Sequence, residues 1–191
     1  MTAAPTLVPP KLTADEFLLS AESDGFELVD GVVEEVAMGS ESSWLGGELH
    51  GRLREFVRAG RLGLVFPQES GITIWPGDPF TVRKPDVLFV RRDRVPAGGI
   101  PKGWLSVVPD LVVEVVSPRE NAGALQGKLF DYRRAGVPLI WVIYPDPKSA
   151  VVWRGESVEL VPADGVLDGG DVLPGFRLSL RDLFEAAGEF V

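Results

Sequence analysis

The stretch Pro109-Asp110-Leu111-Val112-Val113-Glu114-Val115-Val116-Ser117-Pro118 decides how this chain folds. Leu111 to Val116 is an apolar, largely β-branched run with a proline beyond each end. It reads as a strand buried on both faces, because no polar alternation marks a solvent side. Its one charge, Glu114, is expensive to bury unless it is paired, hydrogen-bonded or bound to a metal. A second strand opening, Pro85-Asp86-Val87-Leu88-Phe89-Val90, also carries a single carboxylate. Side chains alternate along a strand, so Asp86, Leu88 and Val90 share a face of the first, and Val112, Glu114 and Val116 a face of the second. If the two strands are neighbours, Asp86 and Glu114 point to the same side. Carboxylates that close repel each other, and one pKa rises unless a cation stands between them. Oxygen ligands of this kind suit a hard divalent ion, Mg²⁺ or Mn²⁺. Lys128 follows on the next helix, between Leu125 and Tyr132 at the border of the apolar stripe. From there an ammonium reaches the end of the sheet, where it can orient a metal-bound water or stabilise charge on a phosphate.

Outward from this pair, the pattern gives alternating elements. Thr13 and Glu16 form a capping-box signature for a short helix over Ala14–Ser20. Phe26–Val29 and Val32–Val36 flank Asp30-Gly31, a hairpin signal of type I′. Leu45, Leu49, Leu53, Phe56 and Val57 make one stripe of a helix over Ser43–Ala59, with Gly60 as its stop. Short strands are expected at Leu64–Phe66, Ile72–Trp75 and Asp86–Val90, then an exposed loop over Arg91–Val108. After the strand Leu111–Val116 come a helix over Asn121–Ala135, a buried strand Leu139–Tyr144 and an edge strand Ala150–Trp153. The remainder is turn-rich and ends in a short helix, Arg181–Ala187. This order implies an α/β fold with a mixed central sheet flanked by helices and an N-terminal β-hairpin extension. Residues 1–11 read as a flexible tail and 12–191 as a single domain.

Composition narrows the chemistry. The chain has 191 residues, a net charge of −9 and no cysteine. Thiolate nucleophiles, disulfides and Cys-ligated zinc are excluded. A single histidine, His50, removes His-rich metal sites; beside the apolar stripe it reads as a partly buried or surface residue. The acidic balance argues against a surface that attracts nucleic acid everywhere, but it leaves room for a local basic groove. Arg83, Lys84, Arg91, Arg92, Arg94 and Lys102 flank the Asp86 strand and are candidates for steering a phosphate backbone. Tyr132 is expected in the core, and the five tryptophans in packing or at a dimer surface. Without a leader-like start or a membrane-length apolar run, a soluble cytoplasmic protein is expected.

Taken in order, Phe26-Glu27-Leu28-Val29-Asp30-Gly31, Lys84-Pro85-Asp86, the Glu114 strand, Lys128, Tyr132, Ala135-Gly136-Val137, Trp141, Pro145 and Leu173-Pro174-Gly175-Phe176 resemble the Uma-type restriction endonuclease family. That family belongs to the PD-(D/E)XK nuclease superfamily. The resemblance runs from about Leu12 to Phe184. It implies a restriction-endonuclease-like core, Mg²⁺- or Mn²⁺-dependent hydrolysis of DNA phosphodiester bonds, and a homodimer. It also implies a site of Asp86, Glu114, Lys128 and Glu27, with Asp86, Glu114 and Glu27 toward the metal. The superfamily's Glu-x-Lys would place a lysine at 116, where this chain has Val116, so the lysine role passes to Lys128. Relatives often carry a histidine at the start of the long helix, where this chain has Ser42. The alternative reading is a nuclease fold that no longer catalyses and serves as a binding or assembly module.

Overall fold

In the computed structural model, residues 11–37 and 39–186 are described; the first ten residues of the expected tail, and Ala187 of the expected last helix, lie outside them. The elements are α1 (Ala14–Leu18), β1 (Phe26–Val29), β2 (Val32–Glu35), α2 (Ser40–Gly60), β3 (Gly63–Pro67), β4 (Val87–Arg91), β5 (Leu111–Val115), α3 (Ala122–Arg134), β6 (Leu139–Tyr144), β7 (Ser149–Arg154), β8 (Ser157–Val161), β9 (Val166–Asp168), β10 (Arg177–Ser179) and α4 (Leu180–Glu185). Six strands form one sheet in the order β3-β4-β5-β6-β7-β8. Only β5 and β6 run parallel; their connection carries α3, and the other neighbours are antiparallel. The architecture is the mixed α/β sheet expected, with the hairpin β1–β2 set apart from it.

The alternation of β5 sorts its residues onto two cores. Leu111, Val113 and Val115 join Val87 and Phe89 beneath the α2 stripe of Leu45, Leu49, Leu53 and Val57, where Trp141, Leu178 and Leu183 complete the layer. Val112 joins Leu88, Val90, Ile140 and Val142 beneath Leu125 and Tyr132 of α3. A third cluster of Ala14, Phe17, Leu28 and Val82 ties α1 and the hairpin to the segment that precedes β4. That tie is also made by backbone, through Leu28 N–H to Val82 O (3.0 Å) and Val82 N–H to Leu28 O (2.8 Å). It carries Glu27 to the mouth of β4.

Several expectations need correction. Ile72–Trp75 is not a strand: Ile72 makes only isolated bridges, to Arg83 and Leu105, and Trp75 turns its indole N–H to Asp131 O at 2.9 Å. Its β-type residues are buried by packing over the sheet rather than by ladder pairing. Ala150–Trp153 lies within β7, which is interior; β8 is the edge, hidden in sequence because Ser157-Val158-Glu159-Leu160 is mostly exposed. The tail region contains β9 and β10 besides its helix. Gly60 does not stop α2: the helix runs through it, and Arg61 takes the left-handed cap at φ 53°.

Candidate active site

β4 and β5 are antiparallel neighbours with Val87 opposite Val113, which carries Asp86 toward Glu114. Asp86 immediately precedes β4, and its Oδ2 accepts the N–H of Val115 at 2.7 Å. Glu114 is buried on the α3 side, where its two oxygens have different partners. Tyr132 donates its hydroxyl to Oε1 at 2.7 Å, and Lys128 donates to Oε2 at 3.3 Å. Both donors project from α3 as part of a buried face with Leu125. Asn121 caps that helix by accepting the N–H of Gly123, which fixes where its first turn begins.

Lys128 is the hub. Its Nζ lies 3.3 Å from Glu114, 3.5 Å from Glu27 and 3.9 Å from Glu120. Burial works against its charge, but Glu114, Glu27, Glu120 and Asp86 together hold its pKa above the ordinary lysine value. The four expected residues therefore gather in one place. Glu27 is fully engaged: Arg83 donates to Oε2 at 3.0 Å and the Lys84 backbone N–H to Oε1 at 2.8 Å. Arg83 in turn is held by Asp131 at 2.8 Å, so a buried chain of charges runs from the hairpin to α3. This corrects the expectation that Arg83 and Lys84 steer a phosphate backbone. Arg83 is taken up by Glu27 and Asp131, and Lys84 by Ser23 O and Glu69. Among the others, Arg94 pairs with Asp110 at 2.7 Å and Arg91 with Asp93 at 3.4 Å.

Burial and crowding raise the acids of the cluster. Burial, reinforced by Asp86 and Glu27, pushes Glu114 up to about 8 against the pull of Lys128 and Tyr132. Burial likewise raises Asp86 to about 6, against the Val115 amide and Lys128. Glu120 is raised too, chiefly by burial. Sequence reasoning misses Glu120, which sits in the turn between β5 and α3; its one signal is its place just before the Asn121 cap. Tyr132 packs in the core as expected, and it also orients Glu114. Ser42 is buried and exchanges hydrogen bonds with the Gly39 backbone, at 3.2 Å as acceptor and 3.0 Å as donor. His50 lines a small cavity with Asp86, so it faces the site more directly than its edge position suggests.

Does the donor set fit a divalent ion? Among the described residues no three His, Asp or Glu side chains are arranged to hold a metal ion as they stand. The donors that remain are carboxylate oxygens, the kind that Mg²⁺ and Mn²⁺ take. Burial, with neighbouring carboxylates adding to it, raises the pKa values of Asp86 and Glu114, and a divalent ion bound there would favour their charged forms. The chemistry of the set fits, and Lys128 supplies the positive charge that is present.

Comparison with known proteins agrees with this fold. A search of curated proteins gives no match. Among solved structures, a "putative nuclease belonging to DUF820" from Anabaena variabilis is similar in fold, with a TM-score of 0.79 at 23% identity over 91% of this chain and 98% of that one. The family model described as "Putative restriction endonuclease", Uma2, matches residues 14–181, a span that holds the hairpin, Asp86, Glu114 and Lys128. The chain belongs to the Uma2 family.

Proposed function

We propose that this chain is a metal-dependent endonuclease that hydrolyses DNA phosphodiester bonds at the Asp86–Glu114–Lys128 cluster. The observation that carries the reading is a buried ammonium ringed by carboxylates, two of them raised well above their ordinary range, at the end of a sheet in a nuclease-family fold. Acids shifted by burial and by specific charged neighbours, grouped at one end of a sheet, are the pattern of a functional site. Asp86 and Glu114 would hold a divalent ion. When bound, such an ion supplies a water of lowered pKa as nucleophile and neutralises charge at the phosphate.

The chain's own residues do the rest. Lys128 keeps its proton and offers an ammonium to the nucleophile or to the phosphoryl oxygens as charge develops there. Glu27, tied to Arg83 and to the Lys84 backbone, acts as a positioning residue that holds Lys128 and Arg83 in place. Tyr132 fixes the rotamer of Glu114 by its hydrogen bond. Asp86, anchored by the Val115 amide, is held at the open side next to α2.

The test is nicking of supercoiled plasmid by the purified chain across Mg²⁺ and Mn²⁺ concentrations, beside Asp86→Asn and Glu114→Gln. Metal-dependent nicking lost in both variants is the expected result. Intact DNA with wild type in every metal, or nicking that survives in both variants, overturns the proposal. Binding without cleavage would assign the fold to the binding-module role instead.

A further inference from the structure

We propose that the flank of α2 next to Asp86 is the track of a DNA strand, leading from the carboxylate cluster to an arginine cleft near the far end of the helix. The direction of the track rests on the nuclease reading above. Ser43, Gly47, His50, Arg54, Arg58 and Arg61 recur at spacings of three and four, so they line one flank of the helix. At the near end, a small cavity of about 120 Å³ joins Ser43, Gly47, His50 and Gln68 to Asp86 itself. At the far end, a cleft of about 650 Å³ is walled by Arg54, Arg58, Arg61 and Arg92 over Leu64 and Val65 of β3.

Two features point to a ligand rather than to packing. The four arginines are exposed, and among the described residues none is paired with a carboxylate, although the chain carries a net charge of −9. The helix dipole accounts for cations in the last turn only, so Arg58 and Arg61 are explained by it but Arg54 and Arg92 are not. The second feature is glycine inside a long helix, where it is less favourable than alanine. A Cβ at Gly46 would make only an ordinary contact, 3.6 Å from the Asp86 Cβ. Gly47 and Gly51 face open space: a Cβ at either would meet nothing within 4 Å. They leave the helix bare between Asp86 and the arginines, which lets a bulky backbone lie close. One acidic residue, Glu55, borders the outer side beyond Gly51.

Length favours a polymer over a small anion. At 1.5 Å per residue, Arg54 and Arg61 lie roughly 12 and 22 Å along the helix from Gly46. With one charge per about 3.4 Å of each strand, that span covers roughly four to six phosphates.

The test measures binding of a fluorescent 20-base-pair duplex to the full chain by anisotropy, in EDTA, as salt is varied. Four arginine–phosphate contacts give a log–log salt slope of about −3 to −4. Arg54→Ala with Arg58→Ala should shrink that slope by about two and weaken binding by about tenfold at low salt. Arg133→Ala, on the far helix, should change neither. Gly51→Gln should leave the melting temperature equal or higher while weakening binding several-fold. Wild-type affinity and slope in the double arginine variant overturn the track, and if wild type still nicks plasmid the nuclease reading survives that failure. Loss of binding in the variant, with no cleavage by any form, keeps the track and removes the nuclease reading. Equal arginine dependence on an RNA duplex, with DNA left unbound, overturns the DNA assignment.

Discussion

Tyr132→Phe removes one atom, and the structure says what that atom does. The hydroxyl donates to Glu114 Oε1 at 2.7 Å in a fully buried setting, and phenylalanine fills the same volume without it. A hydrogen bond to a charged group contributes about 1.5–3 kcal/mol, against about 1 kcal/mol for a neutral pair. Which figure applies depends on the charge of Glu114, whose pKa is pushed up to about 8. At pH 9 the carboxylate is ionised and the loss should be about 2–3 kcal/mol; at pH 6 it is protonated and the loss should fall to about 1 kcal/mol. For a chain of this size 1 kcal/mol moves the melting temperature by about 2–4 °C, so the larger loss is readily seen. The substitution also removes a group that favours the charged form, so the Glu114 pKa should rise further. Urea denaturation of both proteins at the two pH values measures the losses, and the pH–rate profile of nicking reports the rise. A loss that is the same at pH 6 and pH 9, with an unmoved acid limb in the rate profile, would refute the reasoning.

Lys128→Met strips the hub from three buried carboxylates and should cost about 3–5 kcal/mol at neutral pH, the usual penalty for breaking a buried pair. Urea titration measures the loss. Without added metal, wild-type stability should fall as pH rises toward 8. Asp86 and Glu114 hold protons in the folded chain at pH values where their unfolded counterparts, near 3.8 and 4.5, have released them. Stability is therefore full below those unfolded values and is lost as pH rises through about 6 and about 8. A fall of at least about 2 kcal/mol between pH 5 and 8.5 is expected, since each tenfold difference in proton affinity between the folded and unfolded chain is worth about 1.4 kcal/mol. It should vanish in Asp86→Asn with Glu114→Gln and flatten in millimolar Mg²⁺; a flat metal-free profile counts against the buried charge deficit. Gly169→Ala should destabilise by about 1–3 kcal/mol, read by thermal melting, because a Cβ there would sit 2.4 Å from Leu173 O.

The strands that carry Asp86 and Glu114 are legible in the sequence because each is a buried run with period-two faces, and two such runs have few ways to pair. Lys128 is legible for a related reason, since its spacing from Leu125 and Tyr132 sets its direction once the helix is granted. What sequence hides is the long-range pairing of charges. Arg83 and Lys84 look like part of a basic patch because their partners, Glu27, Glu69 and Asp131, stand far away in the chain. The docking of the hairpin on Val82 brings Glu27 to Arg83, while Asp131 arrives from α3 and Glu69 from the segment after β3. Glu120 is hidden because a turn between strand and helix encodes no facing direction. The arginine track escapes for the opposite reason. Arg54, Arg58 and Arg61 sit at clear helical spacing, but their face looks like ordinary solvated surface until Gly47 and Gly51 are seen to have nothing above them. The sequence-level basic cluster and the structural one therefore share only Arg92. Net charge cannot separate the two: burial or pairing takes up Arg83, Arg91 and Arg94 beside the Asp86 strand, whereas Arg54, Arg58 and Arg61 of α2, together with Arg92, remain able to meet a phosphate backbone.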